Sequence, residues 1–406
     1  MSWRQVSDTV GMTDSNCLLS RQPIYGSSMS VAAYELRSNH GDDDNEIDES
    51  QIFKMFTDSG LDLVVGEHPG LVSLTPEALS EGLWKTIPKS RVMLGYFHDF
   101  GPSDRTARQL SELAATGYRL ALSGELPLET LALLDHPEHT FKLDVTKYLP
   151  EQLETRVSEL RSYKSKILAG KVDTYDDLEF CKALEFDFYQ GHFLSRPAAQ
   201  KNEIPVNRFT MIRLLSKLQD PEILMPEVEQ LVSQDISLSY KLLRYANSPV
   251  ISLPRTVNSV GHAVRLIGME MLRTWSSALL LSSVDNKPQE LMTIALVRAR
   301  MCELLGESVK NAPKESFLSA GLLSVLDALL DCPMERALAE LPLADDIKDA
   351  LIHRSGPIGQ ALRCTIAYER ADWDDVQFYG MPPGPIREKY MEALSWARQL
   401  TSGLLN

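Results

Sequence analysis

Basic residues are in short supply in this chain. Its 406 residues include 41 Lys and Arg against 56 Asp and Glu, a net charge of −15, with no basic cluster. A polyanionic nucleic-acid backbone is bound at physiological salt through such clusters, so the balance argues against nucleic acid as a partner. Cysteine is also scarce: Cys17, Cys181, Cys302, Cys332 and Cys364 are odd in number and include no CxxC pair. That pattern excludes a disulfide framework or a structural zinc site and suits reduced, mostly buried thiols. No run approaches the roughly 18 apolar residues of a membrane span. The start, MSWRQVSDTVGMTDSNC, has no apolar core behind a basic segment. A cytoplasmic protein without membrane contact is the expectation. The chain also lacks a GxSxG elbow, a P-loop lysine and a GxGxxG turn, which removes three large enzyme classes.

What is present divides into two halves. From residue 17 to about 197, β-rich runs alternate with helical stretches: CLLSRQPIY, VAAYELR, GLVSL, RVMLGYF, YRLALS, TFKLDV, SKILAG and DFYQGHFLS. In RTARQLSELAATG, Ala107, Leu110, Leu113 and Ala114 share one helical face and Gly117 is a stop signal. Eight such units suggest a parallel (β/α) barrel, but about 180 residues is short for one, so a shortened or partly open barrel is expected. The acidic stretch GDDDNEIDES reads as a solvated loop, since it lacks the spacing and glycine turn of a calcium loop. After SRPAAQKNEIP, read as a linker, the period becomes helical. Val257, Val260, Val264, Ile267 and Met271 form one stripe, with Gly268 ending or bending it, and Ile294, Val297, Met301 and Leu304 form another. Pro385 opens a terminal helix. The expected domains are a barrel over 1–199 and an all-α domain over 200–406.

The carboxyl ends of barrel strands are where reactive groups gather. Here they read Glu35, Arg37 and Asn39, then Ser73, Gly95 and Phe97, Ser123 and Gly124, Lys142 and Asp144, Gly170, and Gln190 with Gly191. Glu35 and Asp144 alone cannot hold two divalent cations. His136 and His139 in DHPEHT read as a solvent-facing loop, and His98 with Asp99 has no partner at helical spacing.

Several of these segments, LLSRQPIYG, AAYELR, FKLDVTKY and FDFYQGHFLSRP, resemble the EAL domain of cyclic di-GMP phosphodiesterases in its HDOD-linked subfamily. LSYKLLRYANSPVISLPRTVNSVGHAVRLIGMEMLRTW, ALVRARMCELLG and FLSAGLLSVLDALLDCPMERALAELPL resemble HDOD domains, and the likeness spans roughly residues 17 to 372. The resemblance places Glu35 at the glutamate of the EAL motif, Lys142 at the catalytic lysine and Gln190 at the conserved glutamine. It also exposes departures. The family's metal-binding asparagine and glutamates fall on Ser73, Gly95 and Gly170, with Asp173 close behind the last, and its paired aspartates on Ser123 and Gly124. The phosphate-binding arginine falls on Asn39, and in the helical half the HD pair falls on Ser324 and Val325, leaving Asp327 alone.

What this implies is a bacterial signalling protein that is not an enzyme and serves as a protein-interaction platform, with no cofactor and no metal. Glu35, Lys142 and Gln190 are then vestigial catalytic positions, and Glu35, Arg37, Asn39 and Gln190 are a nucleotide-site remnant. The alternative is a cyclic di-GMP receptor or weak phosphodiesterase using the same residues. Candidate partners are other signalling proteins, cyclic di-GMP and a second copy of the chain. An Arg37–Glu35 pair filling the old site is expected, so that restoring one or two ligands gives no activity. A local basic face around Arg265, Arg273, Arg298 and Arg300 is the one feature that favours nucleic acid.

Overall fold

The computed structural model describes residues 18–38, 60–86, 88–101, 104–198, 215–220, 222–234, 287–310, 313–339 and 341–404, with a few single residues and short stretches between 243 and 277. Asn39, the acidic stretch 41–50, Cys17, most of the Val257 stripe, Arg265 and Arg273 lie outside the described residues. The chain forms two units, one of residues 1–193 with 369–373, the other of residues 194–368 with 374–406.

Eight strands close the first unit into a barrel in sequence order. They are β1 Leu19–Gly26, β2 Val31–Ser38, β3 Gly70–Ser73, β4 Val92–Tyr96, β5 Arg119–Ser123, β6 Thr140–Asp144, β7 Lys166–Gly170 and β8 Phe188–Tyr189. The barrel is closed, not partly open, and it is not wholly parallel. β1 runs antiparallel to both β2 and β8, and the other pairs are parallel. The reason is local. Only a tight turn separates β1 from β2, with Gly26 N donating to Ser30 O and Met29 N to Gly26 O, and a parallel pair needs a crossover of a dozen or more residues.

Helices cover the barrel: α1 Gly60–Val65, α2 Pro76–Glu81, α3 Arg105–Ala115, α4 Leu128–Leu133, α5 Pro150–Leu160 and α6 Tyr175–Ala183. With both faces covered, a strand such as β7 reads KILAG and is buried from Ile167 to Gly170. The barrel interior is filled by Ile24, Ala33, Leu71, Ala121 and Leu168, with Met93, Phe97 and Phe188 packed against them. On α3, Ala107, Leu110 and Leu113 are buried, and Gly117 takes φ +92° just past the helix end, as the spacing predicts. Helix α6 opens with a reciprocal cap: Asp177 N donates to Thr174 Oγ1 and Thr174 N to Asp177 Oδ2, both at 3.1 Å. Thr174→Ala is expected to cost about 1 kcal/mol, read as a lowered urea midpoint at unchanged slope. No loss would mean that Asp177 alone suffices.

The second unit contains α7 Met225–Gln234, α8 Gln289–Gly306, α9 Lys314–Leu323, α10 Leu326–Leu330, α11 Met334–Ala339, α12 Asp345–His353, most of α13 Gly356–Arg370, and α14 Pro383–Leu404. Helix α8 is central and packs on α9 and α14. A stripe was expected on it, but Leu291, Ala295, Ala299, Met301, Cys302 and Leu305 are all essentially inaccessible. It is a helix buried on nearly every side. Gly321 makes the α8–α9 approach: a Cβ there would lie 2.4 Å from Arg298 O.

Cys181, Cys302, Cys332 and Cys364 are buried and unbridged. Burial pushes the thiols of Cys181, Cys302 and Cys364 up to about 12, so they stay protonated. Among the described residues no helix is long and apolar enough to cross a membrane.

Candidate functional site at the barrel mouth

Strand geometry decides what reaches the mouth. Alternation along β2 puts Glu35 and Arg37 on the same face as Ala33, which belongs to the barrel interior. Alternation along β6 does the same for Lys142. Gln190 follows β8, with its N–H on Ala169 O and its C=O accepting from Val172 N.

Three of these side chains converge on the carboxylate of the fourth, Glu35. Lys142 Nζ lies 2.6 Å from Glu35 Oε1, Gln190 Nε2 lies 2.7 Å from Oε2, and Arg37 Nε lies 3.3 Å from Oε2. The Glu35 side chain is 5% exposed, against 17% for Lys142 and 32% for Arg37. Burial is the largest influence on the carboxyl and pushes it up. The charges of Lys142 and Arg37, with the hydrogen bonds from Lys142 and Gln190, outweigh it and hold the pKa at about 2. Glu35 is therefore ionised at every physiological pH. Lys142 Nζ also sits 4.9 Å from the centre of the Phe97 ring, a cation–π contact. Two cations around one anion leave the cluster with a net positive charge.

The cluster opens into a cavity of about 340 Å³ lined by Glu35, Arg37, Ser73, Lys142, Ala371 and Trp373, among others. That volume lies at the lower end of the range for small-molecule sites.

The glycines at strand ends are packed positions. A Cβ on Gly95 would meet the Phe97 ring at 2.8 Å, one on Gly124 would meet Leu143 Cδ2 at 2.8 Å, and one on Gly170 would meet Lys142 Cε at 3.1 Å. A carboxylate restored at any of them has to displace a neighbour first.

The donor set does not fit a pair of divalent cations. Among the described residues no group of three or more His, Cys, Asp or Glu could hold a metal ion. Asp144 is engaged by Lys171 at 2.9 Å and by Thr146 Oγ1 at 2.6 Å. Gln22 Oε1 and Gln190 Oε1 are buried acceptors without a partner among the described residues, but both are neutral.

The structure corrects other expectations and adds residues that the sequence reading passed over. His136 is exposed as expected, but His139 is 4% exposed, with Nδ1 2.8 Å from Leu134 O. Burial lowers the pKa of His139, so it is a neutral core residue, not part of a solvent-facing loop. Arg298 is buried and donates to Ser324 Oγ and Ser195 Oγ, both at 3.3 Å. Arg300 is held by Glu303 and Glu392. Neither offers a free basic face for nucleic acid. Burial pushes the Asp327 carboxyl up.

His192 did not stand out in the sequence. Its Nδ1 is 3.1 Å from Asp173 Oδ1 and its Nε2 is 3.3 Å from Gln22 Nε2. Since the Gln22 amide donates, Nε2 accepts, and the Nδ1–H is left for Asp173. Trp373 did not stand out either, because nothing in its sequence surroundings marks a residue 184 positions beyond Tyr189, the end of the last barrel strand, as part of the barrel mouth.

Comparison with known proteins finds relatives along 94% of the chain. The HDOD domain family matches residues 204–340. The Vibrio cholerae protein named cyclic di-GMP phosphodiesterase CdgJ is 28% identical over 399 residues, covering 94% of this chain and 92% of that protein. The uncharacterized Bacillus subtilis protein YuxH is 24% identical over 401 residues, covering 94% and 98%. Among solved structures, a standalone EAL protein from Vibrio cholerae O395 in its c-di-GMP bound form is 15% identical, covers 46% of this chain and 92% of its own, and has a TM-score of 0.36.

The relation to CdgJ overturns the expectation that this chain is not an enzyme. That expectation equated missing carboxylates with missing activity. A count of absent ligands bears on one way of holding metal ions, whereas the relation to a protein named a phosphodiesterase extends over nearly the whole chain. With an HDOD domain behind a closed eight-stranded barrel, and kinship to a cyclic di-GMP phosphodiesterase along 94% of its length, the chain matches an EAL–HDOD protein.

Proposed function

We propose that this protein acts in cyclic di-GMP signalling and that its barrel mouth binds the dinucleotide. One observation carries the reading: Lys142 and Arg37 surround the single carboxylate of Glu35 at the edge of the cavity. The excess positive charge suits a phosphodiester, and the pre-formed ion pairs keep both cations in place before a ligand arrives. Kinship to CdgJ supports the choice of dinucleotide and favours a second reading, slow hydrolysis at the same mouth. The output of such a site reaches other proteins through the helical half, which we assign as the interaction platform.

Calorimetry of the full chain with cyclic di-GMP, followed by chromatography for the linear dinucleotide, tests both readings. Binding is expected, and Lys142→Met should weaken it by about tenfold to a hundredfold, the value of one charge-assisted hydrogen bond. Linear product would assign a phosphodiesterase, and intact dinucleotide a receptor. Absence of heat from the wild type would overturn the proposal.

A further inference from the structure

Residues 369–373 belong to the barrel unit although the chain on either side of them belongs to the helical one. They are the last two residues of α13 and the three that follow it, a short strap in which Ala371 takes φ +60°. A residue with a Cβ rarely adopts that left-handed conformation, which costs free energy unless the surroundings hold it. Two residues later Trp373 lines the barrel-mouth cavity together with Glu35, Arg37 and Lys142. The residue is half-buried and lines the cavity, so its indole supplies a flat aromatic surface to a space whose other marked feature is positive charge.

We infer that Trp373 is a base-stacking residue of this site: it takes a purine face of the nucleotide whose phosphate meets Lys142 and Arg37. The inference rests on the proposed binding of cyclic di-GMP and deepens it by naming the residue that recognises the base. Phosphate and base make different demands. Two cations distinguish an anion from a neutral molecule but not one phosphodiester from another, whereas an indole adds affinity only where a π-face is offered. The eight strands bring cations, amides and Phe97 to the mouth. Phe97 is already committed beneath Lys142 and packed at Gly95. Trp373 is the aromatic ring in the cavity lining, and it comes from the part of the chain that is continuous with the HDOD half.

The test is calorimetry of the full-length wild type, Trp373→Ala and Trp373→Phe with cyclic di-GMP at one fixed salt concentration, with thermal midpoints recorded for each. Trp373→Ala should weaken binding by about tenfold or more at an unchanged midpoint, and Trp373→Phe should recover most of the loss because phenyl keeps a stacking face. If Trp373→Ala binds as tightly as the wild type, the stacking role is overturned while dinucleotide binding stands. Equal weakness of the Ala and Phe variants also overturns it, since a role in packing rather than stacking would then explain the loss. A wild type that does not bind removes the underlying reading and this inference with it.

Discussion

Replacing Gly191 by alanine is expected to destabilise the barrel by at least about 3 kcal/mol, among the larger effects a single methyl group can have. A Cβ at this position would lie 1.7 Å from Val172 O, 2.4 Å from its carbonyl carbon and 2.7 Å from its nitrogen. All three atoms are backbone, so no rotamer change relieves the clash. Val172 N is the donor to Gln190 O, so separating the two segments also breaks that bond and moves Gln190 away from Glu35. At about 2–4 °C per kcal/mol for a domain of this size, the barrel's thermal transition should fall by roughly 10 °C. A midpoint within about 2 °C of the wild type would show that the 172 and 191 segments can separate at little cost, and that Gln190 is not held as rigidly as described.

The second large effect is a pH dependence centred on Glu35. Its carboxyl has a pKa of about 2 when folded, against an ordinary value of 4.5. A depressed carboxylate contributes stability that is fully present above the unfolded pKa and is lost as pH falls through the folded one. The window therefore runs from about pH 4.5 down to about pH 2. A difference of that size corresponds to roughly 3 kcal/mol. Glu35→Gln should lower the urea midpoint at pH 7 and flatten the acid limb, so that the wild-type and variant curves converge towards pH 2. Parallel curves across the window would mean that Glu35 is not the group whose protonation loosens the barrel. Lys142→Met is the complementary change. It leaves a 5%-exposed carboxylate with only Arg37 and Gln190, and should raise the Glu35 pKa and shift the acid limb towards neutral pH.

These two predictions share a physical basis. The barrel mouth is a set of close contacts between segments far apart in sequence, and its polar groups are held mainly by one another. Gly95 and Gly170 show this from the other side: the room they leave is taken up by Phe97 and by the stem of Lys142. Restoring a carboxylate at either glycine would add a ligand and disturb the lysine in one step.

Much of the fold was legible before any coordinates. Apolar runs such as KILAG mark strands covered on both sides, the 3.6-residue spacing of Ala107, Leu110 and Leu113 marks the buried face of α3, and Gly117 marks its end. The same local rules located Glu35, Lys142 and Gln190 at strand ends, and alternation along β2 placed Arg37 beside Glu35. The antiparallel start of the barrel was also within reach, because the chain between Gly26 and Val31 is too short for a crossover, but the βα rhythm of the following units outweighed that cue.

The chain's own sequence determined the elements, their order and the chemical character of the mouth, since propensity, periodicity and turn chemistry act over a few residues. Tertiary structure alone decided that Lys142 joins Arg37 on the Glu35 carboxylate, which histidine is buried, which glycines are packed tight, and that Trp373 stands with Glu35, Arg37 and Lys142. Those outcomes depend on distances of a few ångströms between separate elements, Glu35 and Lys142 being 107 positions apart, and on a local dielectric set by everything packed around them.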